Sequence, residues 1–384
     1  MSPHRKNPAR TRHILTEVPR VGFYPDLRQH EPKREPEDII FPATMRAVMQ
    51  YFGHPEYDYV HFVGVSGAMA FLGWREGWHH DSAAIYYMAP FNQHQRLFED
   101  SFTSTGYPKG QHVTLKGADA VSEPEARRLI QESIDAGRPV LAQGVVGPPE
   151  TCIICGYDEA AAVLIGWSFF QSQEAENQGV EFEPNGMFRI RDWYADKDTF
   201  ELIFFGDRGE PPNLAEVRRR SLEWATHCAC IPETWDGPRH NGLAAYDAWI
   251  GHLRCDEAIR ADGSVPEGVG DKPYQVHCAI SGQLAEARHY GSKYLIRVAQ
   301  KEPQMRADLL QAAGSYTHIH DLMWQVWNCC GGNTCGSEQL ERFAQPETRQ
   351  RIIELLKEAQ QQDVQAIEHI KAALEATANT PRNG

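Results

Sequence analysis

The chain has 384 residues, 41% of them hydrophobic and 23% charged, with 52 acidic against 38 basic side chains and a formal charge of −14. That length supports two or three globular cores, and interspersed charge with ordinary hydrophobic content excludes a disordered chain, a collagen-like rod and a coiled coil. The acidic balance argues against nucleic-acid or membrane-surface partners, no run reaches the ~18 apolar residues of a membrane span, and nine cysteines make an odd number for a closed disulfide framework.

The basic start MSPHRKNPARTRH leads into no apolar signal-peptide core, so the expectation is a soluble, cytoplasmic protein with mostly reduced thiols. Residues 1–37 mix proline, histidine and scattered charge and read as an extended arm. Over 40–53 a helix is predicted: Pro42 suits its first turn, Met45, Val48, Met49 and Phe52 share one face, and Gly53 supplies a left-handed stop. A capping box at Ser122 and Glu125 opens a second helix through Leu129, Ile130 and Ile134, closed by Gly137. A strand follows at 140–143, then an apolar hairpin from 151–157 and 162–167 across the Asp158 turn, then a third strand pair from 186–191 and 200–206.

Beyond Pro211 the pattern changes, with Asn213 and Glu216 as a capping pair and apolar residues recurring at helical spacing. Stripes run through Ile280, Leu284, Ala287, Gly291, Tyr294 and Val298, through Leu309, Ala313, Tyr316, His320, Trp324 and Trp327, and through Ile353, Leu356, Ile367, Ile370 and Leu374. The fold class expected is therefore α+β: an arm over 1–37, an α+β domain with an antiparallel sheet over 38–210, and an all-α helical-bundle domain over 211–384.

The run Ile40-Phe-Pro-Ala-Thr-Met-Arg-Ala-Val-Met-Gln-Tyr-Phe-Gly53 resembles the opening of the papain-like fold in bacteriocin-processing cysteine peptidases and in the butirosin-biosynthesis acyltransferase family. Gly137-Arg-Pro-Val-Leu141 and Glu150-Thr-Cys-Ile-Ile-Cys-Gly-Tyr-Asp158 look like that family's next strand and its His-containing strand. The likeness covers about residues 38 to 205, and the helical half is similar to the region that accompanies the acyltransferases. It implies a nucleophilic Cys where this chain has Ile40, a His where it has Glu150, and an orienting Asp or Asn where it has Trp167 or Gly166. A thiol nucleophile needs a thiolate beside an oriented imidazole, and here all three roles are empty.

No catalytic residue is therefore assigned, and neither a metal nor a cofactor is expected. The expectation is a non-catalytic papain-like protein that binds a small molecule or a protein partner where Ile40, Glu150 and Trp167 converge. Glu150 would be the polar anchor, its pKa raised by desolvation against Trp167. The crowded segment of Trp74, Trp78, His79, His80 and Asp81 is the candidate second wall. Two alternatives stand beside it: an acyltransferase or amide-bond enzyme using another residue, and a metal-dependent helical-bundle enzyme built on Glu286, His289 and His320.

Other constellations read as structural. Cys152 and Cys155 belong to a strand core, and neither His227-Cys-Ala-Cys230 nor the Cys329, Cys330 and Cys335 run has the spacing of a zinc knuckle. Cys329 and Cys330 end a helix before a Gly-Gly turn, leaving Cys335 as an exposed thiol. Gly64-Val-Ser-Gly67 lacks the spacing of a nucleophile elbow or a phosphate loop. Trp74 and Trp78 stand at helical spacing, and His320 reads as a core histidine beside Tyr316 and Trp324.

Overall fold

The computed structural model describes residues 10–83, 94–210, 212–231 and 239–378. In chain order the elements begin with β1 (His13–Ile14), α1 (Tyr24–His30), α2 (Ile40–Tyr51), α3 (Tyr59–Val65), β2 (Gly73–Arg75), α4 (His94–Ser104), β3 (Lys109–Thr114) and α5 (Glu123–Asp135). The strands β4 (Val140–Gln143), β5 (Thr151–Asp158), β6 (Val163–Trp167), β7 (Glu181–Phe182), β8 (Phe188–Arg191) and β9 (Glu201–Phe205) follow. The chain closes with α6 (Leu214–Cys230), β10 (Arg239–Asn241), α7 (Leu243–Leu253), α8 (Pro273–Lys301), α9 (Arg306–Cys330), α10 (Ser337–Phe343) and α11 (Pro346–Ala378). This is the expected α+β class. Contacts divide the chain into one unit of Met1–Asp58 with Thr105–Pro211 and another of Tyr59–Ser104 with Pro212–Gly384.

The first unit is built on an antiparallel sheet of order β3-β9-β4-β5-β6-β8-β7, with β1 added to β5 through His13 opposite Tyr157 and Ile14 opposite Gly156. Every residue of β4, β6 and β9 is buried, which is why these short runs are apolar on both faces rather than alternating. Helices α2 and α5 pack on β5. Ser122 caps α5 by accepting from the Glu125 amide, and Gly53 takes its left-handed φ of 82° just past α2. The expected pairing of 186–191 with 200–206 is corrected: β8 pairs with β6 and β7, while β9 lies between β3 and β4. Five consecutive buried residues require a central position, and that is where β9 sits. The arm is only partly extended, since it contributes β1, the seven-residue helix α1, and Phe23 set edge-on against Phe169 and Phe170 at 5.2 and 5.3 Å.

In the second unit α8, α9 and α11 pack on one another. Among the described residues beyond 213 the regular elements are helices except for β10, which pairs with β2 of the 59–104 segment, and an irregular stretch over 254–272 interrupts the expected run of helices. The 59–104 segment joins the helical unit because small residues let it approach closely. A Cβ on Gly64 of α3 would lie 2.3 Å from the Tyr294 ring, and one on Gly291 of α8 would lie 2.8 Å from Met69. Arg288 secures the same contact from inside, donating to the carbonyls of Met69 and Phe71 at 2.8 and 3.1 Å and to both carboxylate oxygens of Asp363 at 2.7 Å. The stripe read along α9 is also corrected. Successive steps of four residues advance more than one turn, so the buried line runs through Ile319, Met323 and Val326 while Trp324 is 50% exposed.

Candidate functional site

The residues from Gly144 to Glu150 join β4 to β5 and carry the most distinctive polar group of the first unit. Their sequence, Gly-Val-Val-Gly-Pro-Pro-Glu, fixes the backbone tightly. Gly144 has φ 79° and a Cβ there would fall 1.8 Å from the Asp198 carbonyl, while one on Gly147, at φ 92°, would meet the Phe170 side chain at 2.5 Å. Only glycine satisfies both the dihedral and the space. The Gly144 amide donates to the Glu150 carbonyl at 2.9 Å, and the Thr199 hydroxyl donates to the Gly144 carbonyl at 2.9 Å. Glu150 is thus held on a rigid turn, directly after two prolines.

Its carboxyl is half-buried and has no hydrogen-bond or ion-pair partner among the described residues. Desolvation alone pushes its pKa up to about 8. At neutral pH it is mostly a protonated acid, able to donate one hydrogen bond and accept others. Beneath it the Cys152 thiol donates to the Val146 carbonyl at 3.7 Å, and Ser168 donates to the same carbonyl at 2.8 Å and bonds the thiol. Burial raises the pKa of Cys152, and raises that of Cys155 further. Both are core thiols, not nucleophiles.

Beside the turn lies a polar row that the sequence reading did not single out. Glu201, Gln143 and Thr151 are cross-strand neighbours on β9, β4 and β5, so their side chains share one face of the sheet. Gln143 donates to the Thr151 hydroxyl at 3.0 Å, and Glu201, 4% exposed, bonds His112 through one oxygen while the other lacks a hydrogen-bond partner among the described residues. Each of these residues stands at the end of an apolar strand, where a polar side chain reads as a solvent-facing terminus. Only cross-strand register brings them together.

Trp167 is opposite Ile153 in the ladder, which puts it on the face away from Cys152 and Ser168. Its indole N–H donates to the Val18 carbonyl at 3.1 Å, and the Arg20 guanidinium stacks on it at 4.7 Å. The group that was to desolvate Glu150 is instead engaged by the arm. Ile40 is the first residue of α2 and is buried. The polar groups at that helix start are Glu37 and Asp38, both with pKa raised by burial, Asp38 to about 6. Both have structural partners: Glu37 with Arg34 and Arg46, Asp38 with the Tyr24 amide.

The 74–81 segment lies within the second unit. Trp74 is a strand residue and Trp78 a turn residue at φ 61°, so they do not share a helix, yet their rings meet edge-on at 5.0 Å. The polar groups are largely occupied locally. Trp74 donates to His252 at 3.1 Å, His80 pairs with Asp271 at 3.2 Å, and one oxygen of Asp81 takes Arg75 and Arg239 at 2.7 and 2.9 Å. The His79 ring fills the space above Gly270, where a Cβ would lie 2.2 Å away. In the same unit His289 and His320 are 4.9 Å apart between ring centres, and Glu286 accepts from Tyr59 at 2.5 Å. Among the described residues no group of three His, Cys, Asp or Glu side chains is placed to hold a metal ion, and no helix is long and apolar enough to cross a membrane.

Fold and site thus define an α+β chain with an antiparallel sheet and a helical unit. No family model matches it, and no curated protein matches it in sequence.

Proposed function

We propose that this chain is a non-catalytic papain-like protein that binds a small hydroxylated ligand at the 144–151 turn, with Glu150 as the anchoring group. The observation that carries the reading is the Glu150 carboxyl: set on a rigid turn, half-buried without a partner among the described residues, and with its pKa pushed up to about 8 by desolvation. Perturbed carboxyls of this kind concentrate at functional sites. The residue at the helix start that the resemblance gives to a thiol is Ile40, and the two thiols nearest on β5 are buried and protonated. Neither supports acyl transfer. A neutral acid suits an uncharged hydroxyl or carbonyl group. A cationic ligand would instead have to ionise Glu150 on binding.

The test is a thermal-shift panel of neutral sugars, amino sugars and acyl thioesters on the wild type and Glu150→Gln. A ligand that binds only the folded state adds about 2.7 kcal/mol at 100 times its dissociation constant. The expected result is a shift with neutral sugars that declines above pH 8 and is lost in Glu150→Gln. A shift with amino sugars that grows from pH 7 to 9 points to a cationic ligand. Equal shifts in both proteins, or iodoacetamide-sensitive turnover of a thioester, contradict the proposal.

A further inference from the structure

We propose, on the reading of Glu150 as the anchor, that residues 16–30 of the arm form a strap that holds the Glu150 turn in its ligand-binding shape, so that a docked strap and a bound ligand stabilise each other. The strap is fixed at both ends. Before it, β1 pairs with β5 and the Leu15 amide donates to the Cys155 carbonyl at 2.8 Å. After it, Glu37 pairs with Arg34 and Arg46 at 2.5 and 2.8 Å. Between these ties no backbone–backbone hydrogen bond joins residues 16–30 to the sheet among the described residues. Contacts that involve side chains hold the strap down.

Those contacts converge on the 167–172 segment. The Val18 carbonyl accepts from the Trp167 indole at 3.1 Å, and Arg20 stacks on its ring at 4.7 Å. Gly186, where a Cβ would lie 2.1 Å from the Arg20 guanidinium, leaves that group its room. Phe23 sets its ring against Phe169 and Phe170, and Asp26 of α1 accepts from the Ser172 hydroxyl. The segment under the strap is in turn the support of the Glu150 turn: Phe170 fills the space over Gly147, and Ser168 donates to the Val146 carbonyl at 2.8 Å. A continuous line of contacts therefore runs from Phe23 through Phe170 to Gly147, three residues before Glu150. A segment held by so few contacts opens at a lower free energy than a ladder strand. Lifting it takes from Phe170 the ring that backs it. A ligand that favours the ordered turn favours the docked strap, and the strap raises ligand affinity by the same factor.

The experiment is hydrogen exchange of the full chain, read by mass spectrometry without ligand, on the wild type, on Arg20→Ala with Phe23→Ala, and on Phe23→Leu. Loss of the two aromatic pairs should speed exchange over 144–152 about tenfold in the double variant. Peptides over 16–30 should speed up with it, while those of α8 keep the wild-type rate. Phe23→Leu, which keeps an apolar side chain, should change the rate less. In the wild type at low urea the two segments should open as one unit, a measurement that stands even where the double variant fails to fold. The thermal shift that a neutral sugar gives the wild type should shrink in the double variant. The proposal is overturned if 144–152 keeps its rate while the strap opens, if the strap stays protected in the double variant, if the two segments open separately in the wild type, or if the sugar shift is undiminished. The exchange data involve neither ligand nor titration, so their failure removes the strap and spares the anchor. An ordinary Glu150 midpoint removes the anchor and leaves the link between strap and turn standing.

Discussion

His277 shows at the residue scale what burial without a partner does. It is 1% exposed, neither ring nitrogen has a hydrogen-bond partner among the described residues, and its ring lies 5.3 Å from that of Trp249 and 4.9 Å from that of Phe343. Desolvation lowers its pKa from 6.5 to about 3. The unfolded chain then binds more protons than the folded one between those two values, so stability is lost as pH falls through that window. His277→Phe removes both the orphaned nitrogens and the proton linkage. Acid unfolding followed by tryptophan fluorescence should move to lower pH in this variant, with no loss of stability at pH 7. An unchanged acid midpoint would contradict the burial argument. Glu150 and His277 are opposite cases of one effect, a desolvated group driven neutral. Glu150 was legible in the sequence only through the alignment of motifs. That His277 lacks partners was not legible at all, because partner counts depend on which helices surround a residue.

At the scale of elements, the pair of Arg288 and Asp363 joins α8 to α11, and Tyr246 of α7 adds a hydrogen bond to Asp363 at 2.6 Å. Breaking a buried pair from one side leaves an uncompensated charge, at a cost of roughly 3–5 kcal/mol. Asp363→Ala should lose stability in that range by chemical denaturation. The double change Arg288→Met with Asp363→Leu should recover part of it, short of the whole, because the Met69 and Phe71 carbonyls lose their donor. A cost below about 1 kcal/mol for Asp363→Ala would mean that the pair does not hold the helices. The apolar periodicity of α8 and α11 identified the helices but concealed this link. Arg288 reads as an ordinary surface charge, and Asp363 directly follows a polar Gln360-Gln-Gln run that resembles a solvated face. Helices and central strands were readable because their periodicity is local. The pairing of β9 with β3 and β4 was not, since it is decided by competition among distant edges.

For the whole molecule, the chain passes between its two compact units at three points, after Asp58, after Ser104 and after Pro211. Only the last carries a compositional signal, the proline pair followed by the Asn213 cap. The other two fall in stretches whose helix and strand signals are the same on either side. A cut at 211 therefore yields pieces that are not the units. The 212–384 fragment lacks Phe62, Val63, Met69 and Trp74, all buried in the intact chain, so its α6 and α8 faces are left uncovered. Neither 1–211 nor 212–384 should show a cooperative thermal transition alone, whereas the full chain should. A sharp two-state melt of 212–384 would show that the 59–104 segment is dispensable to the helical unit.

The most direct measurement of the central claim is a carbon-13 NMR titration of the side-chain carboxyls in glutamate-labelled protein, with the Glu150 resonance assigned from the spectrum of Glu150→Gln. The account predicts that Glu150 titrates at about 8, far above its ordinary value of 4.5, and that adding a binding neutral sugar moves its resonance. An ordinary midpoint near 4.5 would mean that the carboxyl is solvated or paired, and the proposed anchor, with the site built around it, would be contradicted.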